Sequence, residues 1–507
     1  MSSLPSRPVV VGDLPLDARV MGPLKPLRTE IDVARCRVTR GEIPKSLQGG
    51  FYRNGAAFKR PQKQGCVGFL AMDAMITAIL FDNGNASFRN RWIRTPKYLV
   101  EEKYNESLFE YADGSPDWWG YGVIDPKPDP RAEGVPAGSP WINAIPYGAK
   151  EILAVGELNT VPYVIDPFTL DTRGIVSWAA KCGPGLVERR HVADGAFCPH
   201  PHWDVQTGEL FGWSATDREP YAKIIVVRSD GSVKTRDLDS NRGLWPSNLH
   251  DGWLTKDYLV LGFEPFINTR ERARQGLPVL GWDESRKITL VLIPRSLEGE
   301  IRYIDAPFGR QCFNHTAGAN TVGDTIFLDA PLFEKAPFPF EQDMQPDGQF
   351  PPFKAGNIGR WIVNLKNGTV KSELLDDRNV EEPKIDDRYQ GRNYVYSFLM
   401  AGPTYFSFDT VIKRNMITGK EETYTVKREG PFALFEGVFA PRSDAAPEAD
   451  GYFIVPLSRY AEGLTEYLIF DTANIAAGPI AEMELPFQIG WGPHGNWLDL
   501  SHVSHQS

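Results

Sequence analysis

The sequence predicts an all-β chain, and among all-β architectures a propeller fits best. Three observations carry this. Short runs of β-branched and aromatic residues recur along the chain, at 223–228 (KIIVVR), 258–263 (YLVLGF), 288–293 (ITLVLI), 325–328 (TIFL) and 452–456 (YFIVP). Turn residues stand beside several of them, as in Asp82-Asn83-Gly84, Asp230-Gly231 and Lys366-Asn367-Gly368, and these are hairpin formers. Gly (47) and Pro (41) are frequent and evenly scattered, so they interrupt helices throughout.

Sandwich, barrel and propeller are all built from short antiparallel strands. A chain of 507 residues favours the propeller, because radial repetition adds sheets without leaving long bare edges. No clean sequence period sets the number of blades, and no long amphipathic helical stretch occupies the body of the chain. We read 1–507 as a single domain. Two segments read as loops rather than strands: 113–137, rich in Pro, Gly and Trp, and 331–352, rich in Phe and Pro. Long ordered loops often serve as lids or binding loops. Their aromatics suit the wall of an apolar tunnel, and a plain packed surface loop is an equal reading.

Composition narrows the function classes. The chain is 42% hydrophobic and 24% charged, as in ordinary globular proteins. A net charge of −10 without long single-sign blocks disfavours nucleic-acid partners. The five cysteines, Cys36, Cys66, Cys182, Cys198 and Cys312, are odd in number and show no CxxC spacing. That argues against a disulfide framework or a cysteine zinc site. Residues 1–15 lack a basic stretch followed by an apolar run. No stretch approaches the roughly 18 apolar residues of a membrane span. The expected compartment is a reducing cytoplasm.

Eight histidines occur, and no spacing matches HExxH. Four sit in similar settings, and three of them come shortly before a strand or turn signal. His200 lies in Cys198-Pro199-His200-Pro201-His202-Trp203-Asp204, His250 in Leu249-His250-Asp251-Gly252-Trp253, His315 in Phe313-Asn314-His315-Thr316, and His494 in Pro493-His494-Gly495-Asn496. Side chains so far apart in sequence meet only where the fold brings remote segments to one axis, as a propeller does. Taken singly, each is better read as a structural histidine than as a ligand.

At these residues the sequence resembles the carotenoid cleavage oxygenase family. Gly50-Phe51-Tyr52-Arg53-Asn54-Gly55 and Asn90-Arg91-Trp92-Ile93-Arg94-Thr95-Pro96 are similar to its first landmarks. His200-Pro201 with Asp204 and Thr207-Gly208-Glu209, then Leu249-His250-Asp251, Phe313-Asn314-His315, Glu436-Gly437-Val438-Phe439-Ala440-Pro441-Arg442, Asp450-Gly451-Tyr452 and His494-Gly495 come in the family's order.

The resemblance implies a seven-bladed β-propeller with a loop and helix dome over the active-site face. It implies Fe(2+) held on the axis by His200, His250, His315 and His494, with His202 as rival to His200. His191, His502 and His505 match no ligand segment and are expected at the surface or in the tail. It implies glutamates behind the imidazoles at Glu157, Glu381 (with Glu382 as alternative) and Glu436. A metal-bound imidazole donates its other N–H, and a carboxylate fixes that ring's tautomer and direction. By ligand type alone, neutral imidazoles suit iron, zinc or copper.

The implied partners are O2 and a small hydrophobic alkene, with peripheral membrane contact only if that alkene is a carotenoid. Segments 445–451 and 476–480 resemble the microbial branch acting on phenolic stilbenes and phenylpropenes. Apocarotenoids are the alternative substrate class. In that branch a tyrosine near the Arg94-Thr95-Pro96 landmark is implied to contact the phenol, which makes Tyr98 a candidate beside Lys97. A half-buried strand residue is the competing reading of Tyr98. The chain departs from the family pattern at Thr316-Ala317-Gly318-Ala319-Asn320. It departs again at 69–75 (FLAMDAM), where a lone Asp73 stands. At Trp141-Ile142-Asn143-Ala144 the family often has Ala-Asn-Thr, with a threonine methyl that crowds one iron position, and the resemblance implies that Ala144 would leave that position more open.

Overall fold

The computed structural model describes residues 22–60, 72–110, 127–148, 150–157, 160–182, 196–239, 241–269, 271–272, 275, 280–337 and 356–500. Their main chain forms seven antiparallel sheets of four or more strands, set around one axis as the blades of a propeller.

The turn chemistry explains the hairpins. Between Asp73–Asp82 and Asn85–Trp92, the two turn residues take φ of 45° at Asn83 and 77° at Gly84, the left-handed pair that matches strand twist. The predicted runs all fall in strands: Ala222–Val227, Tyr258–Phe263, Thr289–Pro294, Thr325–Phe333 and Gly451–Arg459.

Burial grades across each blade. The innermost strand of the fourth blade, Gly252–Leu254, is wholly buried. Outer strands such as Thr369–Leu374 and Glu421–Thr425 are mostly exposed or alternate with the period of two expected where only one face is covered. Between blades the apolar faces pack into clusters. One joins Phe211, Trp213, Leu261 and Phe263 of neighbouring blades.

Two blades combine both ends of the described chain. In the first, Gly49–Ala57 pairs with the C-terminal strand His494–Asp499. In the seventh, Arg37–Gly41 pairs with Ala481–Leu485. Closing the ring this way leaves no blade without neighbours on both sides.

Three expectations change. The loop reading of 331–352 fails at its start, because residues 331–333 finish the strand Thr325–Phe333 opposite Asn357–Asn364. Neighbouring strands override Pro331 there, which lacks only a donor. The rest of that loop from 338 lies outside the described residues. In 113–137, residues 113–126 also lie outside, and residues 127–137 include a short strand, Lys127–Pro128, and a 3-10 turn, Pro130–Ala132. Tyr98 is not in a strand. It lies in the helix Pro96–Tyr104, capped by Thr95, whose side chain accepts from the Tyr98 N–H, with proline at the first helical position.

Candidate metal centre

Each blade brings at least one chemically active side chain to the axis. His494, His200, His250 and His315 stand at or just before innermost strands of the first, third, fourth and fifth blades. Glu157, Glu381 and Glu436 come from the second, sixth and seventh. His200 is flanked by Pro199 and Pro201, which keep its segment out of ladder pairing. His494 is followed by Gly495, where a Cβ would collide with the Tyr52 carbonyl oxygen. Only glycine lets the C-terminal strand approach this closely.

The four imidazoles converge, and one nitrogen from each lies within 4.8 Å of all the others. His200 Nε2 is 3.1 Å from His250 Nε2, which is 3.3 Å from His315 Nε2. Behind them, Nδ1 of His250 bonds Glu157. Nδ1 of His315 is 3.0 Å from Glu381 Oε2, and Nδ1 of His494 is 3.0 Å from Glu436 Oε1. With Nδ1–H donated to a carboxylate and no second proton on either ring, the facing Nε2 atoms of His250 and His315 are both bare lone pairs. They cannot bond each other, and a cation between them relieves their repulsion. Two nitrogens about 2.1 Å from one ion and at right angles stand about 3 Å apart, as these do. The residues present therefore fit a metal ion.

The electrostatics agree. Burial, reinforced by the other imidazoles, holds His200 well below the usual histidine range. Burial likewise pushes His494 down to about 3, against the pull of Glu436. Burial also lowers His315, but Glu381, with Glu382 and Asp251 beyond, overrides it and holds the ring up at about 9. A coordinated divalent ion would take the place of that proton. Burial acts to raise Glu436, but Lys384 and His494 outweigh it and push this carboxyl down to about 2.

His202 is not in the cluster. Its Nδ1 is 3.1 Å from Gln390 Oε1 and its Nε2 is 3.4 Å from Asp251 Oδ1. Glu381 and Glu382 both reach the centre, by different routes. The strand Val380–Lys384 carries a register shift between Glu381 and Lys384, and this bulge cancels the normal alternation of faces. Ala144 is fully buried in the second blade, and its carbonyl accepts from Asn496 Nδ2 at 2.8 Å.

Tyr98 is not brought to the imidazoles. It is buried against Ala57, Met75 and Trp92, with its ring stacked on Trp92 at 6.0 Å and its hydroxyl accepting from Arg94. Lys97 is held between Asp73 and Glu101, at 2.8 and 2.9 Å. His191, His502 and His505 lie outside the described residues. Sequence reasoning passed over Asp251, although it directly follows His250.

A propeller whose axis gathers four imidazoles, three of them backed by carboxylates, offers an all-histidine site that could hold a metal ion. The family model described as RPE65, retinal pigment epithelial membrane protein, matches residues 24–499. The chain belongs to this RPE65/carotenoid cleavage oxygenase family. It is 29% identical to isoeugenol monooxygenase of Pseudomonas putida, over 95% of this chain and 98% of that one. It is 27% identical to lignostilbene-alpha,beta-dioxygenase isozyme III of Sphingomonas paucimobilis, over 95% and 97%. The crystal structure of Pseudomonas brassicacearum lignostilbene dioxygenase superposes with a TM-score of 0.82 at 26% identity, covering 96% of this chain and 99% of that one.

Proposed function

We propose that this chain is an Fe(II)-dependent oxygenase that splits the conjugated C=C bond of a phenolic stilbene or phenylpropene with O2, giving two carbonyl products. Its relatives carry such activities in their names, which supports the enzyme class and favours phenolic alkenes over carotenoids. The single observation that carries the reading is the convergence of four imidazoles, with three carboxylates behind them.

In this reading His200, His250, His315 and His494 hold the ion. Glu157, Glu381 and Glu436 receive the Nδ1–H protons and aim the rings. Ferrous iron there would supply electron density to O2, and the alkene would supply the rest, so both oxygen atoms enter the products and no organic cosubstrate is consumed. The protein's share is to hold the alkene beside the cluster and to keep water out. The setting we propose is the reducing cytoplasm. Cys36, Cys182, Cys198 and Cys312 are buried and unbridged, and among the described residues no helix is long and apolar enough to cross a membrane.

The test is metal analysis with O2 uptake on isoeugenol, resveratrol and an apocarotenal. The expected result is one iron per chain and one O2 consumed per phenolic alkene cleaved. Turnover on the apocarotenal alone would move the substrate to the carotenoid class. Stoichiometric iron without turnover on any alkene would overturn the enzyme reading in favour of a binding protein.

A further inference from the structure

Among the described residues no β-bridge joins the third, fourth and fifth blades to one another, so the spacing of residues across these two junctions depends on side chains. Asp251 is fully engaged at such a junction. Its Oδ2 accepts from the Thr316 N–H at 2.7 Å, and its Oδ1 accepts from the Gly252 N–H at 2.6 Å and lies 3.4 Å from His202 Nε2. The Thr316 hydroxyl returns a bond to the Gly252 carbonyl oxygen at 3.0 Å. His202 is held from its other side by Gln390 at 3.1 Å.

Each group that Asp251 bonds or faces lies within two residues of an imidazole. His202 follows His200 by two, Asp251 adjoins His250, and Thr316 adjoins His315. The three belong to the third, fourth and fifth blades. Asp251 is 5% exposed and His202 8%, so these contacts form away from competing water. We propose that Asp251 is a positioning residue, which sets the mutual spacing of His200, His250 and His315 by bracing three blades against one another. This deepens the metal reading of the four histidines and rests on it. A carboxylate is required because its two oxygens must both accept; an amide at this position turns a donor towards the Thr316 N–H.

The test uses the full chain loaded with Co(II), read by its visible ligand-field bands and by the rate of metal release to a chelator. Asp251→Asn is expected to shift the bands and to speed release roughly 10–100-fold. Thr316→Val, which removes only the return bond, is expected to do the same to a smaller degree and decides the matter if Asp251→Asn does not fold. Asp329→Asn is the control. Asp329 is buried in the fifth blade and bonded to Arg360 and Tyr394. Its loss should lower the unfolding temperature and leave bands and release as in the wild type. Wild-type bands and release in both Asp251→Asn and Thr316→Val would overturn the brace, as would equal shifts in Asp329→Asn. A wild-type chain that takes up no metal would instead overturn the metal reading, and the brace with it.

Discussion

Glu381 and Glu382 are consecutive residues that face two different imidazoles. Glu381 Oε2 is 3.0 Å from His315 Nδ1, whereas Glu382 Oε2 is 3.8 Å from His494 Nδ1. The bulge between Glu381 and Lys384 turns both side chains inward, and Glu382 takes a φ of 54° to do so. Left-handed backbone at a non-glycine residue is costly and persists where the surroundings enforce it.

The two glutamates should therefore respond differently to amide substitution. Glu381→Gln replaces the charged acceptor of the His315 Nδ1–H with a weaker neutral amide oxygen and should lower metal affinity or turnover roughly 10–100-fold, with Glu436→Gln in the same range. Glu382 Oε2 has no hydrogen-bond partner, and burial, with Glu436 and Glu381, holds this carboxyl well above the usual range. Glu382→Gln should cost less than either and leave the unfolding temperature no lower. Metal content, O2 uptake and thermal unfolding of the three variants check this. Equal losses for Glu381→Gln and Glu382→Gln would remove the distinction.

His250→Ala should abolish both metal uptake and turnover. His250 Nε2 stands between those of His200 and His315, at 3.1 and 3.3 Å, so its removal opens the middle of the set. Iron retained at wild-type stoichiometry with normal O2 uptake would take His250 out of the ligand set.

The parts of this centre differ in how far the sequence exposes them. His250 and His315 can be singled out because each sits in a short segment between a loop and a strand-like run, and hairpins such as Asn83-Gly84 carry their turn type in two residues. The number of blades is not legible by pattern, because strands are joined by connections of unequal length and no period survives. The helix Pro96–Tyr104 has its signal in Thr95-Pro96, a cap followed by proline. That signal is easily passed over, because the helix is only nine residues long and comes after a strand-rich stretch. The brace at Asp251 and the double inward turn at Glu381 and Glu382 depend on which blades become neighbours. No local window of sequence contains that information.

Acid should weaken the junction between the third and fourth blades through Asp204. Burial acts to raise this carboxyl, but Arg295, with the N–H groups of Gln206 and Thr207, outweighs burial and holds it below the usual aspartate range. Asp204 Oδ2 is 2.5 Å from Arg295 Nη2. A carboxylate with a depressed folded pKa contributes stability that is present above the unfolded value and is lost as pH falls through the folded value. Asp204→Asn should cost about 3–5 kcal/mol at pH 7, as for one partner of a buried pair. The gap to wild type should close as pH falls below about 4. Denaturant midpoints at pH 7 and pH 3 measure it, and a gap that stays constant with pH would refute the assignment.

Tyr98 offers the sharpest contrast between what the resemblance implies and what its contacts support. A residue that recognises a phenol must present its hydroxyl to the substrate. The Tyr98 hydroxyl accepts from Arg94, whose guanidinium also lies 4.8 Å from the ring centroid and bonds Glu30 at 2.8 Å. Arg94 thus spans Tyr98 and the segment preceding the first blade. Tyr98→Phe should lower stability by about 1 kcal/mol, the usual net worth of one hydrogen bond. It should leave the ratio of kcat/KM for a free phenol to that for its methyl ether as in the wild type. Thermal unfolding and paired kinetics on isoeugenol and its O-methyl ether measure the two effects separately. A loss of turnover confined to the free phenol would place the Tyr98 hydroxyl at the substrate instead, and would require Arg94 to release it when the alkene binds.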